Sequence, residues 1–284
     1  MPTQATSRFE TINGLKLHYV DWGNEHATPQ TTPIVCLHGL RAYGHWFDEF
    51  AQVVKDRYRV LAPDQRGRGE SDWAKDGDYS RQAYVSDVEG FVDALSLDKF
   101  ILVGHSMGGL NAIHYTAQHP DRVTALFILD IGPDVDPAGM QRIRTELGKT
   151  PNAFDSWQEA KAFLKQRHPR APEENRQTRL RWMFREAPDG KIQWRIDQAI
   201  FDPNLKPDDP QQTWALLSQI RCPTLIVRGG VSDVLSAPTC EEMVKRIQGS
   251  QWVDIPNAGH MVIEDNPEAC NTAMLEFLQN RDKR

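Results

Sequence analysis

Six short apolar runs, with stretches of helical period between them, constrain this chain more than any other feature. They lie at 34–37, 58–62, 100–103, 123–129, 224–227 and 252–255. Each is brief, rich in β-branched residues and apolar on both alternations, as a strand buried on both faces of a parallel sheet must be. Segment 9–19 adds two shorter strands around Asn13-Gly14, a two-residue hairpin turn. Between the runs, 80–95 places Tyr84, Val88, Phe91, Val92 and Leu95 at helical spacing behind a Ser80 N-cap. Helices are also expected at 110–118, 240–247 and 267–278. Strand, helix and strand in repetition predict an α/β fold, a doubly wound sheet with right-handed crossovers.

One region breaks this rhythm. Segment 132–212 shows no strand, is rich in Trp, Arg and Pro, and has helical patches at 157–166 and 176–184. An insertion of that length cannot be a simple loop. The expected organisation is therefore a core domain, 1–132 and 213–284, with a helical cap at 133–212 over one end of the sheet.

Composition narrows the class. The 284 residues are 39% hydrophobic, enough for a large core and too apolar for a disordered polymer. No run approaches the roughly 18 apolar residues of a membrane span, and the polar residues 1–8 lack the apolar region of a signal peptide. A net charge of −6 argues against nucleic acid as a partner. The four cysteines, Cys36, Cys222, Cys240 and Cys270, show no paired spacing suggestive of zinc or a disulfide framework. A cytoplasmic protein acting on a small molecule, with no membrane or nucleic-acid partner and no metal, is expected.

The sharpest chemical signal is Gly104-His105-Ser106-Met107-Gly108-Gly109, directly between an apolar run and a helical one. A strand that turns abruptly into a helix strains the residue at the corner, and only small neighbours avoid a clash. The Ser106 hydroxyl then stands clear at a helix N-terminus, where the Met107 amide faces any developing anion. A serine needs a base. Of nine histidines, His18 falls in the hairpin, His168 in the insert, His114 and His119 in the following helix, and His26 and His45 in loops; His105 should point away from its neighbour. His260, after the last strand at Asn257-Ala258-Gly259-His260, can reach across to Ser106. Two carboxylates past strand ends can orient its ring: Asp233, the favoured one, and Asp130. Another tight turn, His38-Gly39-Leu40, makes the Leu40 amide the second oxyanion donor, with His38 itself structural. Residues 64–72 are glycine-rich but lack a phosphate-loop pattern, and read as a rigid turn.

Taken together, His38-Gly39, the turn from Asp64 to Ser71, the elbow at Ser106, Asp233 and Gly259-His260 resemble the α/β-hydrolase superfamily over nearly the whole length. The resemblance implies an eight-stranded, mostly parallel sheet with an inserted helical cap and cofactor-free, two-step acyl transfer. Residue by residue it implies Ser106 as nucleophile, His260 as base, Asp233 as acid and Leu40 and Met107 as oxyanion donors. Some members place the acid one strand earlier, which corresponds to Asp130.

The expected reaction is hydrolysis of a carboxylic ester or lactone. The same residues also serve a carbon–carbon bond hydrolase of ring-fission diketones, although His105 before the serine leans towards an esterase. A cofactor-free perhydrolase also fits them, whereas epoxide hydrolases and haloalkane dehalogenases use a carboxylate where this chain has Ser106. A ligand receptor on the same fold would bind without turnover. Arg41, Trp46, Trp157, Trp182 and Trp194 are expected to touch the substrate, the cap aromatics otherwise packing the cap onto the sheet. Segment 142–195 carries 13 Lys and Arg against seven Asp and Glu, either a solvated face or an attraction for anions.

Overall fold

In the computed structural model, residues 5–23, 31–169, 171–202 and 208–282 are described. His26 and residues 1–4 lie outside them. The chain opens with the expected hairpin, β1 (Thr6–Ile12) and β2 (Leu15–Trp22), in which Ile12 faces Leu15 across the turn. Asn13 and Gly14 both take positive φ (52° and 76°), as the primed two-residue turn requires. Then follow β3 (Ile34–Leu37), α1 (Asp48–Val54), β4 (Val60–Pro63), α2 (Arg81–Ala94), β5 (Phe100–His105), α3 (Met107–Gln118) and β6 (Val123–Leu129). Ser80 caps α2 through its side chain, as its position suggested.

Between β6 and the next core strand lie α4 (Pro137–Gly148), β7 (Ala153–Phe154), α5 (Trp157–Arg167), α6 (Glu173–Met183), β8 (Phe184–Glu186), β9 (Ile192–Trp194) and α7 (Pro210–Leu216). The core resumes with β10 (Thr224–Gly229), α8 (Ala237–Arg246), β11 (Ser250–Ile255), α9 (Val262–Asp265) and α10 (Pro267–Asp282).

Eight strands form one sheet in the order β1-β2-β4-β3-β5-β6-β10-β11. Every neighbouring pair is parallel except β1–β2 and β2–β4. β3, β4, β5 and all but one residue of β6 are fully buried, which is why their sequences are apolar on both alternations. Two apolar layers cover the faces. One gathers Val103, Phe127, Leu129 and Val227 with Phe277 and Leu278 of α10, the other Leu102, Leu126 and Ile226 with Phe91 of α2 and Ile113 of α3.

The inserted stretch differs from the expectation of a purely helical cap. β7, β9 and β8 pair into a small antiparallel sheet, bringing Phe154 opposite Ile192 and Phe184 opposite Trp194. Strands of two or three residues are too short to display an alternating period. Buried aromatic contacts hold them instead: the Phe184 and Trp194 ring centres lie 4.4 Å apart, and Phe154 meets Phe184 edge-on. Among the described residues, no helix is long and apolar enough to cross a membrane. All four cysteines are buried and free.

Candidate active site

The sheet order dictates where a site can form. From β3 the chain moves one way to β4, then returns past β3 to β5, so a crevice opens at the carboxyl ends of β3 and β5. Leu37 pairs with Gly104 across these strands. The turn after β3 and the turn after β5 therefore face each other, and these carry Gly39-Leu40 and Ser106.

Ser106 has φ 53° and ψ −122° and opens α3. Sterics explain the glycines around it. A Cβ on Gly104 would strike the Gly108 backbone, and one on Gly108 would strike the carbonyl oxygen of Leu37. A Cβ on Gly39 would lie 2.8 Å from His105 Nδ1 and 3.2 Å from the Ser106 Cβ. The Met107 amide opens the helix and so has no intrahelical acceptor. Its side chain turns the other way, where the sulfur meets Arg68.

His260 arrives from the loop after β11, its Nε2 3.0 Å from Ser106 Oγ. Three contacts hold that loop: the Gly259 amide donates to Asp265 at 2.8 Å, His105 Nε2 donates to the His260 carbonyl at 2.9 Å, and Gly229 passes so close to the Gly259 carbonyl that no Cβ fits. Burial and the neighbouring His260 ring hold His105 neutral, well below the ordinary histidine range.

The carboxylate beside His260 is Asp130, which corrects the preference for Asp233. Asp130 Oδ2 lies 2.8 Å from His260 Nδ1 and also accepts from Ser232 Oγ at 2.5 Å, while Oδ1 accepts from the Gly229 amide at 2.8 Å. It is fully buried. Register explains the choice: His105 pairs with Leu129, so the residues that follow, Ser106 and Asp130, emerge side by side. Asp233 leaves a strand two places from β5, beyond the turn 230–232, and its carboxylate is held instead by Arg142 of α4, at 2.6 and 2.8 Å. Those hydrogen bonds keep its carboxyl below the usual carboxylate range.

A cavity of about 600 Å³ lies over Ser106, lined by Gly39, Leu40, Arg41, His105 and His260 from the core and by residues of the insert. Of the five side chains expected to touch substrate, Arg41 and Trp194 line this cavity. The other three tryptophans do not. Trp46 is buried beneath the site, donating to Glu264 at 2.8 Å and packing on the His105 ring. Trp157 is an exposed residue of α5, and Trp182 stacks on His45 at 3.9 Å. Arg142, Glu146, Arg167 and Arg179 also line the cavity; the excess of basic residues in the insert is the only sequence trace of the three arginines, and Glu146 leaves none. The turn after β4 proves structural: Asp64 accepts from the amides of Gly44 and Glu70 and from His18.

The α/β hydrolase fold family model matches residues 32–267. A 3-hydroxybutyrate-oligomer hydrolase of Cupriavidus necator is 31% identical over 263 residues, covering 86% of this chain and 87% of that enzyme. A 2-(acetamidomethylene)succinate hydrolase of Mesorhizobium japonicum is 26% identical over 242 residues, covering 85% of this chain and 86% of that enzyme. Among solved structures, an α/β hydrolase from Novosphingobium aromaticivorans superposes with a TM-score of 0.81 at 29% identity, covering 98% of this chain and 99% of that one. With its sheet, its elbow and these relatives, the chain belongs to the α/β hydrolase fold family and is a hydrolase by kinship.

Proposed function

We propose that this protein hydrolyses carboxylic esters, lactones included, through a Ser106–His260–Asp130 triad and an acyl-enzyme. The observation that carries this reading is the unbroken chain of contacts from Ser106 Oγ to His260 Nε2 at 3.0 Å and from His260 Nδ1 to Asp130 Oδ2 at 2.8 Å. A proton on Nδ1, donated to Asp130, leaves the Nε2 lone pair facing the hydroxyl. His260 takes the Ser106 proton as Oγ bonds to the substrate carbonyl carbon. The negative oxygen is received by the amides of Leu40 and Met107, each such donor being worth about 3–4 kcal/mol of transition-state stabilisation. The imidazolium, held against the buried Asp130 carboxylate, returns its proton to the leaving alcohol. Water then repeats the sequence on the acyl-enzyme, releasing the acid and restoring Ser106.

Two further features support this reading. The Gly229 amide and the Ser232 hydroxyl both donate to the buried Asp130 side chain, so its oxygens are hydrogen-bonded where water does not reach. The C. necator relative is named for hydrolysing hydroxybutyrate oligomers, whose units are joined by esters. The test is steady-state hydrolysis of p-nitrophenyl esters of increasing acyl length, with Ser106→Ala alongside. Turnover lost in the variant is the expected result. Activity that survives in Ser106→Ala would remove the nucleophile assignment, and no turnover of any ester would point to ring-fission diketones or to a receptor.

A further inference from the structure

Among the described residues, four arginines line the cavity over Ser106: Arg41, Arg142, Arg167 and Arg179. Three are neutralised in place. Arg142 pairs with Asp233 and Glu146, Arg167 with Glu146, and Arg179 with Glu264. Arg41 is different, making no ion pair among the described residues. Its Nη1 donates to the neutral Thr150 Oγ1 at 2.7 Å, and its Nε is buried without an acceptor. The guanidinium lies 5.2 Å from the Trp194 ring centre and 4.8 Å from that of Phe201, so aromatic faces stand where a carboxylate would. Burial, reinforced by the charge of Arg167 and opposed by that of Glu146, pulls its pKa down to about 10. A half-buried cation destabilised in this way gains from any anion that reaches it.

Its position gives that anion an address. Arg41 directly follows Leu40, the proposed oxyanion donor, and lines two cavities at once. Besides the cavity over Ser106 it borders a second one of about 380 Å³ that reaches Thr150, Asn152 and Phe201. A substrate whose scissile carbonyl sits at Ser106 can thus extend its far end past this guanidinium.

We propose that Arg41 binds a carboxylate carried by the substrate, making esters that end in a free carboxylate, such as short hydroxyacid oligomers, the preferred substrate class. The inference rests on the ester-hydrolase reading and deepens it. Arg–carboxylate recognition is bidentate and charge-assisted, so its loss is expected to cost about 10- to 100-fold.

The experiment compares the dimer of 3-hydroxybutyrate with its terminal primary amide, which keeps nearly the same size, carries no charge at the far end and adds no second ester. The wild type is expected to have the higher kcat/KM for the free acid. In Arg41→Met the ratio of the two constants falls about 10- to 100-fold, and Arg41→Lys retains an intermediate ratio. Because both constants come from one preparation, any loss of folded protein cancels. If Arg41 only ties the insert to the oxyanion turn through Thr150, both substrates suffer equally and the ratio stays within about twofold, which overturns the proposal.

Calorimetric titration of Ser106→Ala with the same two compounds separates this outcome from failure of the ester reading. Tighter binding of the acid that is lost in Ser106→Ala/Arg41→Met upholds the carboxylate subsite even where the wild type hydrolyses neither compound. Hydrolysis of both compounds with no charge preference in rate or in binding removes the subsite and leaves the hydrolase.

Discussion

Asp130 is held in the left-handed region, at φ 48°, and from there its carboxylate meets His260, Gly229 and Ser232 at once. An amide in its place keeps the shape, but it cannot stabilise an imidazolium and it favours the wrong ring tautomer. Asp130→Asn is therefore expected to lower kcat by about 10³- to 10⁴-fold. Asp233→Asn removes one side of a partly exposed ion pair with Arg142 and should cost less than about tenfold. Steady-state kinetics on both variants, with circular dichroism to verify folding, distinguishes the two carboxylates. The reverse order of effects would return the role to Asp233. Residue order alone brought Ser106 and His260 into view, because a glycine elbow and a histidine after the last strand are local patterns. The carboxylate beside His260 was not legible in the same way. Asp130 and Asp233 both follow strand ends, and spacing along the chain does not say which turn folds inward. The facts that separate them are non-local: the pairing of His105 with Leu129, and the Arg142 that draws Asp233 towards α4.

At the scale of elements, the junction of β5 and α3 tolerates little. Gly108 faces the carbonyl oxygens of Leu37 and His38, rigid backbone that cannot swing aside as a side chain tip can. Gly108→Ala is expected to cost about 2–3 kcal/mol or more, through displacement of β3 from α3. Gly148, the last residue of α4, has open space where a Cβ would go. Gly148→Ala should be neutral or stabilising by up to about 1 kcal/mol, since alanine loses less backbone entropy in a helix. Urea unfolding of the two variants measures the contrast. A Gly108→Ala midpoint matching the wild type would mean that the elbow is looser than its geometry requires. The elements that were readable from sequence are those with enough residues to show a period, such as α2 and the buried strands. β7, β8 and β9 are too short for that, and their stability comes from the packing of Phe154, Phe184 and Trp194 across distant parts of the chain.

Across the whole molecule, burial, complete at His38 and His105 and partial at His114 and His168, shifts the titration of several histidines. Burial is the largest cause in each case: it pushes His38 and His114 down to about 4 and His168 to about 2, and holds His105 well below its ordinary range. All four rings therefore remain neutral in the folded protein well below pH 6.5, near which the unfolded chain protonates them. Between about pH 6.5 and pH 4 the unfolded state binds more protons than the native state, so stability must fall as the solution is acidified. Each ring contributes a slope of up to about 1.4 kcal/mol per pH unit. Asp64 and Asp233, whose carboxyls titrate below their ordinary value, act in the same direction at lower pH, where their contribution is lost as they protonate. Unfolding free energies from urea titrations should thus be nearly flat above pH 7 and decline steeply from pH 6.5 to 4.5. His114 offers the cleanest single test, because it lies outside the cavity over Ser106 and, among the described residues, its side-chain hydrogen bond is to Thr213 Oγ1, at 3.0 Å. His114→Gln can keep that hydrogen bond while removing the titrating group, and should reduce the slope at pH 5 by about one proton's worth, roughly 1.4 kcal/mol per pH unit. An unchanged slope in that variant would mean that the His114 ring is protonated within the fold, and that the acid sensitivity originates elsewhere.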